Sequence, residues 1–403
     1  MSYVFDGRSE HRLHAYFDNM AGVLRNKNQR AAFAMYAVGL LSDIDRKSAE
    51  PIAATASGDP MLCRAYHDRL LRFIGKSKWD DAKLRLAAAR YAIVQMKKDE
   101  VVDSWIVDDT GFLKQGSESP GVQRQYTGSA GKTTNCQIGV SLTLATRTLE
   151  LPVDMDLYLP KSWTEDRERC RKAHIPDDVA YRQKWRIALD MIRRAKDARL
   201  PPGLVLADCG YGNAGDFRAG LRELGFDYAV DVNAETRVRI VCDDGSVSET
   251  MSVACAADVF GESAHRDVTW REGTRDTLKS RFAAMRVQVV RRCGTEEVEQ
   301  WLVVERPDPK KPPTHYVLST LSRETLLEEL VRRIKQRWRI ERTYEDMKGE
   351  LGLDHFEGRS YRGWHHHVSV VLTCYAFITS ERARAFPPEV RWSKDRDEVS
   401  IAA

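Results

Sequence analysis

Apolar positions recur in two different rhythms along this chain. Up to about residue 98 they fall at helical spacing, in Ala- and Leu-rich runs such as Ala31–Leu41 and Trp79–Met96, and almost nothing alternates in the way a strand would. Asp80 and Asp81 open the second run and Lys97 and Lys98 close it, the charge order that suits a helix dipole. Residues 1–98 read as a compact helical unit.

The rhythm changes near Val101. Strands are predicted over Trp105–Thr110, Cys136–Thr146 and Leu149–Asp154, then a long helix over about Asp178–Ala198 that Pro201 and Pro202 stop. Leu204–Ala207 is a short apolar run of the buried-strand type, ending at Asp208 before a Gly210–Gly212 turn. A helix over Ala214–Leu224 and a strand over Tyr228–Val232 follow. Strands followed by strand–helix alternation predict an α/β class, a mixed sheet covered by helices. From about 236 to 315 the pattern is strand and turn, with Met285–Arg291 and Val298–Glu305 flanking Gly294 as a hairpin. Helix returns over about Arg323–Leu351. The apolar run Val368–Ile378 reads as a buried helix, since at about 1.5 Å per residue it is far too short for a bilayer of about 30 Å.

The chain divides on this reading into a helical unit (1–98), a core in two parts (99–235 and 316–385), a β-rich insertion between them (236–315) and a polar, mobile tail (386–403).

Composition narrows the picture only slightly. The 403 residues include 63 basic and 59 acidic ones, a formal charge of +4, so a nucleic-acid partner must be read from distribution. None of the eight cysteines makes a CxxC pair, which removes a zinc knuckle or thioredoxin-like site and fits reduced thiols in a cytoplasmic protein. The opening MSYVFDGRSEHRLHAYF has no apolar core of signal-peptide type, and no membrane association is expected.

Three acids stand out by position. Asp109 ends one predicted strand, Asp208 ends another, and Glu341 sits within a helix. Acids at neighbouring strand ends and on one helix can meet at a sheet edge, where hard oxygen ligands suit two Mg²⁺ ions, with Mn²⁺ able to substitute. Because alternate strand residues point to opposite faces, only one of Asp108 and Asp109 faces such a site in a regular strand. Asp109 is favoured, which leaves Asp108 solvated or behind it.

The helix that carries Glu341 reads RRIKQRWRIER over residues 332–342. Arg337, Glu341, Tyr344, Glu345 and Lys348 fall on one face, so a metal-binding acid would lie between cations able to hold phosphates. In the helical unit, Arg25, Lys27, Arg30, Arg64, Arg69 and Arg72 are further candidates for backbone phosphates.

The run RWRIERTYEDMK resembles the third-acid helix of bacterial insertion-sequence DDE transposases with a Tyr-Arg-Glu-Lys signature. Arg337, Glu341 and Lys348 match it; Ile334 stands where the signature has tyrosine, and Tyr344 is the candidate replacement. VDDTGF with Asp109 is similar to the first-acid strand, and LADCGYG with Asp208 to the second. GVQRQYTGSAGKTTNCQIGVSL and KGELGLDHFEGRSYRGWHHH extend the likeness over roughly residues 100–370.

The resemblance implies a ribonuclease-H-like core and two-metal phosphoryl transfer on DNA. It implies double-stranded partners, the element's terminal inverted repeats and a target, with the helical unit reading the repeats. It also implies a homodimer on paired ends and a bacterial, nucleoid-associated setting. Asp109, Asp208 and Glu341 would be catalytic and metal-binding, while Arg337, Lys348, Tyr344, Arg124 and Lys132 would contact DNA. Relatives carry a β insertion before the third acid where an aromatic ring receives a flipped base; Trp270, Trp301 and Tyr316 are the candidates here. Two other readings remain, a non-catalytic DNA-binding derivative and a different two-metal DNA nuclease on the same core.

Other features carry less. Gly128–Thr133 lacks the spacing of a nucleotide-binding P-loop, and no G-x-S-x-G elbow appears. His365, His366 and His367 are consecutive, so on a helix they diverge by about 100° each and cannot readily share one ion. They are expected to face DNA or to begin a helix.

Overall fold

The computed structural model describes residues 7–98, 100–272, 277–291 and 294–385; the tail expected after 385 lies outside them. Five helices come first: α1 (Gly7–Ala21), α2 (Lys27–Leu41), α3 (Ala49–Ala56), α4 (Pro60–Leu71) and α5 (Asp81–Met96). Local chemistry sets their starts. The carboxyl of Asp59 accepts from Met61 N and that of Asp80 from Lys83 N, which satisfies amides that a helix start otherwise leaves unpaired. All six cations expected to face DNA from this unit are solvent-exposed.

A mixed sheet follows, with strands β1 (Ser104–Leu113), β2 (Gln123–Thr127), β3 (Lys132–Ala145) and β4 (Glu150–Tyr158). After short helices α6 (Lys161–Thr164) and α7 (Arg167–Lys172), the long α8 (Lys184–Asp197) leads into β5 (Leu204–Ala207), α9 (Cys209–Gly212), α10 (Gly215–Glu223) and β6 (Tyr228–Asp231). β1, β5 and β6 lie side by side and parallel, and β3 runs antiparallel to β1. All four residues of β5 are buried, as expected for a strand covered on both faces.

The β-rich stretch comprises β7 (Arg237–Ile240), β8 (Met251–Ser252), α11 (Val253–Val259), β9 (Arg266–Glu272), β10 (Thr277–Arg291) and β11 (Gly294–Glu305), and then β12 (His315–Ser319). It extends the same sheet: β6 pairs with β12, β12 with β11, and β11 with β10, giving the order β2-β3-β1-β5-β6-β12-β11-β10-β7-β8. The helical N-terminal region followed by this helix-flanked sheet is the architecture of a ribonuclease-H-like α/β core with a helical extension.

The helix predicted over 323–351 is interrupted. α12 (Leu327–Ile334) gives way to a 3₁₀ turn at Lys335–Trp338 before α13 (Arg339–Gly349). Side chains at this break are drawn apart: Arg337 reaches Asp108, whereas Arg339 pairs with Glu150 and donates to the carbonyls of Thr146 and Arg147.

α14 (Tyr361–Ala385) is the pin of the molecule. It is buried around its circumference over Gly363–Phe377, where it packs between the N-terminal helices and β4. The three consecutive histidines lie inside it and each fastens a different element. His365 bonds Asp156 of β4 at 2.9 Å, His366 lies between the carbonyls of Ile74 and Trp79, and His367 bonds the Tyr36 hydroxyl and the Leu353 carbonyl. The expectation that they face DNA is corrected: they are buried polar staples, and burial holds His366 and His367 down at about 4, hence neutral. Arg85 joins the same seam, paired with Asp81 and Asp154 and donating to Ser369.

Candidate active site

β1 and β5 bring the acids together. Their parallel register sets Ile106 beside Leu206 and Val107 beside Ala207, and the next residues on the two strands are Asp108 and Asp208. Asp208 also caps α9, its Oδ1 accepting from Gly210 N at 2.9 Å, so a short helix start fixes its carboxylate. Asp108 Oδ1 accepts from Asp109 N at 2.7 Å, and Arg337 Nη1 lies 3.4 Å from Asp108 Oδ2.

Charges crowd here. Burial, and then the neighbouring Asp208 carboxylate, push Asp108 up to about 7, although Arg337 pulls the other way. Asp208 is raised for the same first reason, burial, with Asp109 adding to it. For Arg337 burial opposes the charge, yet Asp108, Asp231, Asp208 and Glu341 outweigh it and hold the guanidinium ionised. Two carboxylates that resist joint ionisation, beside a fixed guanidinium, form a site for positive charge and for phosphate.

Asp109, the acid the sequence favours, has a different setting. Its Oδ2 accepts from Lys184 Nζ at 3.0 Å and from the Tyr211 hydroxyl at 3.1 Å. Asp108 stands opposite Ser141 in the antiparallel pair, and Ser141 bonds the hydroxyl of Tyr344 on α13 at 2.5 Å. The alternation of β1 thus gives Asp108 to α13 and Asp109 to α8.

α13 runs along β1. Its inward residues are Ile340, Thr343, Tyr344 and Met347, and Lys348 Nζ donates to the Gly111 carbonyl at 2.9 Å. Tyr344 is buried against the acids, and burial followed by Asp108 raises its phenol well above the usual range, so it stays protonated. Glu341 is on the exposed side of α13, one turn beyond Arg337. Among the described residues no group of three His, Cys, Asp or Glu is placed to hold a metal ion. The carboxyl pair fits a hard divalent cation in donor type; Glu341 is not gathered to it.

Arg124 and Lys132 are exposed on β2 and β3. Of the aromatic candidates, Tyr316 is buried. Trp270 is half-buried with Lys335 Nζ 4.7 Å from its ring centre, and Trp301 carries Arg286 over its ring and donates to the Ser322 carbonyl. A cleft of about 190 Å³ opens beside the acids, lined by Asp231, His315, Lys335 and Arg337 over an apolar floor of Phe282 and Val317. Sequence reasoning missed Lys184, Tyr211 and Asp231. Asp231 could have been noticed as a third strand-end acid; Lys184 has no local signal.

Residues 19–277 match the family of DDE superfamily endonucleases. The chain belongs to that family. The match begins within α1 and runs through Asp108, Asp109 and Asp208 to the first residue of β10. The chain is also similar to the "Probable transposase for insertion sequence element IS701" of Microchaete diplosiphon, with 31% identity over 211 residues, 52% of this chain and 50% of that protein. It therefore spans about half the length of that curated relative. Among the described residues, no helix is long and apolar enough to cross a membrane.

Proposed function

We propose that this chain is a DNA transposase that cuts the ends of a mobile element and joins them to a target by phosphoryl transfer, using Asp108, Asp208 and Glu341. The observation that carries this reading is the Asp108–Asp208 pair, level on neighbouring parallel strands and faced by Arg337. The family match and the similarity to an insertion-sequence transposase support it.

Each side chain has a part. Asp108 and Asp208 would hold divalent metal, two Mg²⁺ ions with Glu341 as third acid, Mn²⁺ being able to substitute. When bound, such ions activate the attacking water or 3′-hydroxyl and stabilise the leaving oxygen. Arg337 neutralises the pair in its absence and holds a scissile-strand phosphate in its presence. Lys348 holds a second phosphate, and Tyr344 keeps a protonated hydroxyl beside the acids. The ties of Asp109 to Lys184 and Tyr211 favour Asp108 over it as the first ligand. Residues 1–98, with their exposed cations, would read the terminal repeats, and two copies would pair two ends. The β insertion is taken as residues 236–315 between the two parts of the core.

The test is cleavage of end-bearing DNA with Mg²⁺ or Mn²⁺. Changing a partner behind a metal ligand typically costs about 10–100-fold, so a ligand itself should cost at least about 100-fold in D208A. Equal cutting by wild type and D208A would overturn the reading.

A further inference from the structure

β2 carries an aromatic ring in an unusual place. Tyr126 is 64% exposed on an edge strand, and Arg124, two residues earlier on the same face, is exposed as well. Their intervening neighbour Gln125 is turned the other way, bonding the Cys136 carbonyl. Lys132 lies across the turn, opposite Thr127. Between Glu118 and Glu150 the chain has no acid at all, although acids number 59 in 403 residues, so this hairpin presents positive charge alone.

The hairpin is also tied to the catalytic strand. Its tip folds over Gly111, where a side chain would collide with the Thr127 hydroxyl. The Gly111 carbonyl receives Ser129 Oγ at 3.4 Å and Lys348 Nζ at 2.9 Å. Gly111 is three residues past Asp108, about 10 Å at strand rise. Lys348 and the hairpin tip therefore meet at the Gly111 carbonyl.

We propose that the β2–β3 hairpin grips a single strand of DNA, Tyr126 stacking on an unpaired base while Arg124 on the same face holds a phosphate beside it. The inference rests on the reading of this chain as a DNA-cutting enzyme. An exposed ring without an apolar neighbourhood gains nothing from water, but the face of a base covers it fully. Paired bases keep their faces stacked, so the ring selects a stretch freed from the duplex.

The test uses the full chain and a fluorescent oligo(dT) of roughly 15 nucleotides, against a duplex of the same length. Loss of a base–aromatic stack predicts about 5- to 150-fold weaker single-strand binding for Y126A, with Y126F within about twofold of wild type and duplex binding nearly unchanged. A 5-iodouracil strand should crosslink to Tyr126 in the wild type, a readout that needs no variant to fold. Unchanged binding by Y126A, an equal loss in Y126F, an equal loss on duplex, or crosslinking elsewhere only would each overturn the proposal. If the Tyr126 effect holds and metal-dependent cutting is absent, the transposase reading fails and the hairpin grip stands; the reverse result removes the grip alone.

Discussion

Lys184 Nζ lies 3.0 Å from Asp109 Oδ2, on the face of β1 opposite the one Asp108 presents to Arg337. One lysine at the start of α8 thus gives two adjacent acids different partners. A cation there is disfavoured by the helix dipole, so its partner rather than its helix holds it in place.

The separation predicts unequal consequences for two single substitutions. D108N should lose at least about 100-fold in cleavage, while D109N stays within about tenfold. D109N should instead lower stability by about 1 kcal/mol, because Lys184 and Tyr211 lose a charged acceptor. Cleavage assays and thermal melts on both variants check this; a larger catalytic loss in D109N would restore Asp109 as the metal ligand.

Asp108 also predicts the pH response of the metal-free protein. Its folded value is raised to about 7 from near 3.8, so between these values the folded state binds more protons than the unfolded one. Its contribution to stability is present at low pH and is lost as pH rises through about 7. Relative to wild type, D108N should therefore melt at least about 2 °C higher at pH 8, with the gap closing towards pH 5. Cation binding, which needs the carboxylate, should tighten across the same range. A pH-independent gap would contradict the buried acid pair.

The α14 histidines predict the opposite sign. His366 and His367 are held down to about 4, against an ordinary value of 6.5. The unfolded chain takes up protons first, so stability present above about 6.5 is lost as pH falls towards 4. At pH 5 the loss should be about 2 kcal/mol per histidine, seen in urea unfolding, and H366N or H367N should each remove its share of the slope.

Gly111 predicts a steric effect at the hairpin. G111A places a methyl group against the Thr127 hydroxyl, beneath the carbonyl that receives Lys348. A loss of about 1–3 kcal/mol is expected. In a double-mutant cycle the same change should be much milder on a T127G background, and additive losses would show that the contact is unimportant.

Much of this architecture was legible in the chain itself. The parallel-core strand Leu204–Ala207 is found where its apolar run predicts it, with Asp208 just past its end; Asp108 and Asp109, expected at a strand end, lie mid-way along a longer β1, where its parallel pairing with β5 stops. Periodicity and turn chemistry are local, so they survive without knowledge of partners. The helix carrying Glu341 and Lys348 was legible for the same reason, though the 3₁₀ break that takes Arg337 out of it, and the outward turn of Glu341, were not. That break is set by Asp108 and Glu150, which pull Arg337 and Arg339 from outside the helix.

The sequence by itself determined the class of fold, the order of its elements and a short list of acids and cations. Only tertiary structure gives each of them its setting. Asp108 and Asp109 are chemically identical neighbours; their different settings, Asp108 beside Arg337 and Asp109 beside Lys184 from α8, exist only in the assembled sheet. The histidine triplet has the same lesson in reverse. Three imidazoles in a row suggest a DNA-facing or helix-start cluster, but burial within α14 makes them bonds between elements far apart in the chain. Burial and register are properties of the assembled sheet, and they set which carboxylate carries charge and which face it presents.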